Sequence, residues 1–179
     1  KSAKNDYKNI SKILKHLPDF KLILVGSGSR LKWLEEQKAI NRLDNLILAG
    51  HFQASEMPQF FSRAAGLLVT LKKDEVFSFT IPGKVQAYLA AGKPVVAALD
   101  GEGARIIEEA QAGLVCSAED AEGFAKCIEK VYNMSKEARG KLGENGRKYY
   151  LEHFEVGQQG KRLVEILEQR IRFDEGVKI

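Results

Sequence analysis

Short, continuously apolar runs recur along this chain, and helical patterning fills the stretches between them. The runs are Lys21–Val25 (KLILV), Leu46–Ala49, Gly66–Thr70 (GLLVT), Pro94–Ala98 (PVVAA) and Gly113–Cys116. A strand with one wet face alternates apolar and polar residues, whereas a parallel strand covered on both faces loses that alternation. Parallel strands also need long crossovers, usually helices. The pattern therefore predicts an α/β fold: a Rossmann-like, doubly wound parallel sheet of five strands with extra C-terminal helices.

The crossovers have their own signals. Tyr7, Ile10, Leu14 and Leu17 share a helical face, and Pro18 ends that helix. A helix follows through Leu31, Trp33 and Leu34. Ser55 is placed to cap the next, with Pro58 in its first turn. Leu71–Ile81 reads as a loop. Pro82 opens a helix with Val85, Tyr88 and Leu89 on one face, closed at Gly92. A short helix spans Ala104–Ala110, and Ser117 is a candidate cap for the helix carrying Phe124, Ile128 and Val131. Only helices follow, over Ser135–Leu151 and Val156–Ile171, before a polar tail, Arg172–Ile179, expected to fray. The expected division is a binding domain over residues 1–154 and a C-terminal helical segment over 155–179.

Composition narrows the function. Hydrophobic residues at 44% and charged residues at 29% exclude a disordered or collagenous chain. No apolar run nears the roughly 18–20 residues of a membrane span. No signal-peptide pattern follows Lys1, so the chain reads as a cytoplasmic fragment of a longer protein. Cys116 and Cys127 have neither CxxC nor zinc spacing and read as reduced packing residues. No metal-ligand cluster and no nucleophile elbow appears. Net charge is +4, from 28 basic and 24 acidic residues that interleave. Nucleic-acid binding needs a concentrated basic stripe. The mild excess fits an anionic small molecule or an anionic membrane surface.

Open parallel sheets bind ligands beyond the carboxyl ends of their strands. Gly26-Ser27-Gly28 follows a strand and opens a helix. A dinucleotide fingerprint wants a third glycine where Leu31 stands, and an acid where the next strand ends in Ala49-Gly50. The turn is either a tight packing turn or a place for close backbone approach to a ligand. In Thr80-Ile81-Pro82-Gly83-Lys84, the N–H groups of Gly83, Lys84 and Val85 are expected to point outward at the positive end of a helix. Lys84 opposes that dipole, so it is either a solvated surface lysine or one half of a site for a phosphate or pyrophosphate. His51-Phe52 after the second strand places rings where they could lie over a base.

Together these segments resemble a known family. The run Ala90-Ala91-Gly92-Lys93-Pro94-Val95-Val96 is similar to the nucleotide-sugar-binding half of GT-B glycosyltransferases, in the large retaining group called family 4 or group 1. Supporting stretches are Leu24–Gly28, Leu43–Ile47 with Ala49–His51, Ala64–Val69, Ala112–Val115 and Ser117–Ile128. The resemblance covers about residues 3–155 and Thr80–Gly92 is similar to transferases of bacterial O-antigen and capsule, including N-acetylfucosamine enzymes.

The resemblance implies a donor diphosphate at Pro82, Gly83, Lys84 and Val85, a base at His51 and Phe52, and a donor sugar near Glu75 and Thr80. The family's ribose-binding glutamate is replaced by Ala87, which moves that contact to Gln86. It further implies retention of configuration, no metal and no cofactor apart from the nucleotide-sugar substrate, which is expected to be UDP-linked. The acceptor, a glycan or lipid-linked sugar at the inner face of the plasma membrane, would be held by a separate N-terminal half. Two alternatives stand beside this: a non-catalytic nucleotide-binding domain, favoured by Ala87, and a GT-B-like UDP-sugar 2-epimerase.

Overall fold

The computed structural model describes residues 11–17 and 19–176, with side chains through residue 171. Tyr7, Ile10, Pro18 and the end of the polar tail lie outside the described residues. The elements follow the predicted alternation. Residues 11–16 are helical (α1). Then come β1 Leu22–Val25, α2 Leu31–Asn41, β2 Leu46–Gly50, α3 Met57–Arg63, β3 Leu67–Thr70, α4 Glu75–Ser78 and α5 Gly83–Ala90. They continue with β4 Val95–Ala98, α6 Glu102–Glu109, β5 Gly113–Cys116, α7 Ala121–Asn133, α8 Lys136–His153 and α9 Val156–Gly176.

All strand pairs are parallel. β3, β4 and β5 form one ladder, with Leu67, Val95 and Gly113 in register. β1 pairs with β2, Leu22 opposite Leu46. The fold class holds, but the expected single layer does not: among the described residues the strands divide into a two-stranded and a three-stranded sheet, because β1 and β3 are not hydrogen-bonded to one another.

β4 shows why its sequence lacks alternation. Val95 and Ala97 face a cluster built by Val85 and Leu89 of α5 and Ile106 and Ile107 of α6. Val96 and Ala98 face the opposite cluster, with Ile13 of α1 and Phe124, Ile128 and Val131 of α7. Both faces of the strand are core, as double winding requires. A side chain such as Leu89, fully buried, contributes about 1.5–3 kcal/mol by leaving water. α8 closes the outside of the first cluster. A side chain at Gly143 would collide with the Gly92 carbonyl, so α8 lies directly on the turn that ends α5. Arg147 of α8 donates to the Ala90 carbonyl there.

Several local signals resolve differently from expectation. Ser55 is no cap: residues 54–56 form a 3-10 turn, closed by reciprocal bonds between Gln53 and Glu56, and α3 starts after it. Asp120 rather than Ser117 caps α7, its carboxylate accepting from the Gly123 amide at 2.9 Å. Asp120 sits immediately before the helix, whereas the carbonyl of Ser117 is used in the preceding turn. The stretch 71–81 is not all loop, because Asp74 caps a turn of helix, α4. The last helix continues to Gly176 instead of fraying at Arg172. Its apolar residues Leu163, Val164, Ile166, Leu167 and Ile171 are each more than half exposed. No helix among the described residues is long and apolar enough to cross a membrane.

Cys116 and Cys127 pack beside the α7 cluster as free thiols. Burial, with the neighbouring Cys127 and Asp120, pushes the Cys116 thiol up to about 12. Burial also raises Cys127.

Leu89→Ala is expected to lower the unfolding free energy by about 2–5 kcal/mol, and Leu163→Ala by less than about 0.5, in denaturant titrations. The raised Cys116 pKa means the folded chain keeps a proton that the unfolded chain releases. Its stabilising contribution is complete below the ordinary thiol pKa and is lost as pH climbs from about 8.5 towards 12. Unfolding free energy should therefore fall over that window, and less steeply in Cys116→Ser.

Candidate functional site

The parallel arrangement gathers the loops that follow the strands, and hydrogen bonds tie them in two groups. At the first group, the Gly26 amide donates to the Gly50 carbonyl at 2.7 Å. Both residues have positive φ, +136° and +80°, which explains glycine at each. His51, just beyond, is exposed. Phe52 is half-buried and packs edge-on against Phe60, with centroids 4.7 Å apart. The two candidate base-binding rings thus differ: His51 stands at the surface, while Phe52 is engaged with α3.

The second group is a strapped ledge. The Asp74 carboxylate accepts from the Val76 amide, and the Ser78 hydroxyl donates to the Glu75 carbonyl at 2.6 Å. Thr80 donates from its hydroxyl to the Phe77 carbonyl at 3.3 Å. The turn so formed presses on the next strand-end loop. Gly101 has φ +73°, and a side chain there would run into the Ser78 backbone. A side chain on Gly103 would meet the Pro82 ring at 3.0 Å. Asp100 then reaches across to accept from the Ala118 amide at 3.1 Å, tying in the loop after β5. Glu75 is exposed in the first turn of α4, on the outside of the ledge.

α5 starts from this ledge. Pro82 holds an extended cap conformation (φ −61°, ψ 133°), and no side chain caps the helix. One expectation needs correction: the Val85 amide does not point outward. It donates to the Pro82 carbonyl at 2.9 Å, since the helix closes on its own cap residue. The outward pair is reduced to Gly83 and Lys84, both exposed. Ala87, one turn on from Gly83, is exposed on the same face, whereas Gln86 is half-buried. No acidic residue lies in this first turn to offset the dipole.

Four glycines have no internal reason to be glycine: Gly140 and Gly160 lie in α8 and α9, while Gly28 and Gly83 stand at strand-end loops. Gly28 and Gly83 do not have positive φ, and a Cβ built on either would find no atom within 4 Å. The space beside them is open. The described structure has concavities of about 560 Å³, by Glu35, Lys38 and Arg42, and about 550 Å³, by Gly92, Arg147 and Leu151. Neither is lined by residues of the strand-end loops. Among the described residues no three His, Cys, Asp or Glu side chains cluster for a metal. The ledge residues Ser78, Asp100, Gly101 and Gly103 were not legible as a unit. The two glycines of Asp100-Gly101-Glu102-Gly103 were the available turn signal.

Comparison with known proteins places this geometry. The sequence profile of "Glycosyl transferases group 1" matches residues 6–134, more than half of the chain. No curated protein sequence matches it. Among solved structures it resembles sucrose-phosphate synthase from Thermosynechococcus elongatus (19% identity, TM-score 0.72, covering 92% of this chain and 42% of that one). It also resembles Anabaena HepE crystallised with UDP and glucose (20% identity, TM-score 0.69, 89% and 43%). A third is the C-terminal domain of a group 1 glycosyl transferase, LpcC, from Francisella tularensis (16% identity, TM-score 0.70, 87% and 80%). The chain thus spans less than half the length of the first two relatives and most of the third, an isolated domain. Its fold is the Rossmann-like C-terminal domain of GT-B enzymes, and with most of its length inside the family profile the chain belongs to the group 1 glycosyl transferases.

Proposed function

We propose that this chain is the donor-binding half of a retaining, metal-independent glycosyltransferase that uses a UDP-linked sugar. The observation that carries this reading is the start of α5. Gly83 leaves open space at an uncapped helix N-terminus, beside a lysine that opposes the helix dipole. An anion bound there resolves both features. A diphosphate accepts hydrogen bonds from first-turn amides and neutralises Lys84. UDP is the nucleotide in several structures of similar fold, including HepE and the pneumococcal O-GlcNAc transferase GtfA.

In this reading the chemistry is electrostatic. As the glycosidic bond breaks, negative charge grows on the leaving phosphate. The amides of Gly83 and Lys84 and the Lys84 ammonium are already aimed at that charge, so little reorganisation is needed. Glu75 and Thr80 border the donor sugar, His51 lies by the base, and Gln86 with Ala87 borders the ribose. The Gly26–Gly28 turn lets the ligand approach the backbone. An N-terminal half faces the strand-end loops and holds a glycan or lipid-linked acceptor at the cytoplasmic face of the membrane, in bacterial surface-polysaccharide synthesis. Residues 1–154 form the binding unit, and 155–179 run towards the other half. One observation favours a second reading, a non-catalytic nucleotide-binding domain: an alanine, not an acceptor, occupies the exposed 87 position.

Calorimetric titration with UDP and with uridine tests this. Lys84→Ala should weaken UDP about 10–100-fold, the loss of one charged hydrogen bond, and leave uridine unchanged. Equal losses for both ligands would remove the diphosphate site. Gly83→Ala should weaken UDP at least about tenfold while leaving stability equal or up to about 1 kcal/mol higher, because alanine is the better helix residue. Gly101→Ala should do the reverse to stability, lowering it by about 1–3 kcal/mol through strain at positive φ. Ala87→Glu should raise UDP affinity in a working donor site and change nothing in a scaffold domain.

A further inference from the structure

Two phenylalanines on the ledge stand apart from the others. Phe79 is 75% exposed, Phe77 45%, and Val76 beside them 69%. Three such residues within four positions make a patch, not a scattered singleton. Among the described residues neither ring packs on another ring. The remaining phenylalanines with described side chains are all engaged. Phe124 is buried in the core, and Phe20, Phe52, Phe60, Phe61 and Phe154 each pack against a second aromatic ring.

The ledge fixes the backbone beneath this patch. The Ser78 main chain abuts Gly101, and the Pro82 ring abuts Gly103. Ile81 packs against the core cluster that holds Val85 and Leu89. Phe79 lies between these anchored positions, and its ring is the part left to solvent.

The polar groups of the same turn are already committed. The Asp74 carboxylate accepts from the Val76 amide, and the hydroxyls of Ser78 and Thr80 donate to the carbonyls of Glu75 and Phe77. A hydroxyl has one proton to give. Glu75 has the one polar side chain between Asp74 and Pro82 that makes no hydrogen bond among the described residues. The turn therefore offers a ligand one uncommitted carboxylate and an apolar surface, with no free side-chain hydroxyl donor.

Position along the chain decides which ligand meets that surface. Phe79 stands four residues before Gly83, a span of at most about 14 Å. The sugar of a nucleotide-sugar is bonded to its outer phosphate, so a diphosphate at Gly83 and Lys84 carries the sugar to the neighbourhood of this turn. A pyranose has apolar C–H faces and a hydroxylated rim. A hydroxyl set against the Phe79 ring gives up water and finds no partner, whereas a methyl group there gains by leaving water.

We propose that Phe79, supported by Phe77, selects the donor sugar. The sugar it fits is a hexose with a methyl group where glucose carries a hydroxyl: the C6 methyl of a 6-deoxy sugar or the methyl of an acetamido group. This inference rests on the donor-site reading of α5 and names the sugar class for that site.

Calorimetric titration of the 179-residue chain with UDP, UDP-glucose, UDP-6-deoxyglucose and UDP-N-acetylglucosamine tests it. At least one of the two methyl-bearing donors should bind about 5-fold or more tightly than UDP-glucose, and the one that does identifies the methyl recognised. Phe79→Ala should bring that ratio to about 1, leaving UDP affinity and the melting temperature unchanged because the ring is exposed. Equal affinities for the three sugars in the unaltered chain, or a preference for UDP-glucose, would overturn the proposal whatever the variant does. So would a ratio that survives Phe79→Ala, or a matching loss of affinity for UDP itself, since the ring would then touch the nucleotide. A chain that binds no UDP at all would remove the donor-site reading, and this one with it.

Discussion

The four residues of β4, Val95 to Ala98, are at most 4% exposed, and ladders to β3 and β5 satisfy the strand on both sides. Every helix that buries a substantial apolar face does so against this strand or its neighbours. α5 and α6 cover one face, α1 and α7 the other, and α8 backs onto α5. The positions of the strand-end loops are set by these contacts, because each loop is the short link between a strand and the helix packed on it. Gly101 and Gly103 then let adjacent loops touch at backbone distance, and Asp100 pins a third. A rigid ledge beneath the start of α5 follows from close packing in the core below it.

How legible this was depended on the range of the interaction concerned. Continuously apolar runs mark doubly covered strands, a property of each run alone, and all five strands were found to within a residue. The Pro82 start and the Gly92 stop of α5 are also local. Ser135 likewise caps α8, through its hydroxyl to the Ala138 amide. Misreadings arose where two local signals competed. Asp120 outranked Ser117 by standing next to the helix, and Gln53 with Glu56 outranked Ser55 by bonding in both directions. The ledge was invisible because Ser78 and Gly101 are distant in sequence and meet through backbone, which side-chain patterns do not report. The division of the sheet was equally hidden. Run spacing predicts strands but is silent on whether two of them pair.

The first turn of α5 runs against the stability of its own helix. Glycine at its start costs about 0.5–1 kcal/mol relative to alanine. A lysine at the positive end of the dipole, with no acid in that turn, adds a further penalty of about 0.3–1 kcal/mol. Neither is repaid inside the chain. Gly83 touches nothing with the place where its Cβ would be, and no side chain caps the turn. The rest of α5 bears the load through Val85 and Leu89, both fully buried. A helix whose interior is optimised for packing and whose first turn is not has two different constraints acting on it. Packing accounts for the interior. In the proposed reading, a negatively charged group outside the chain accounts for the first turn, because it would turn the open space, the unused amides and the misplaced cation from liabilities into contacts. The same division of labour explains why Ala87 is informative. It lies on the exposed face with Gly83 and Lys84, where packing makes no demand, so in the proposed reading the residue there answers to the ligand and not to the fold.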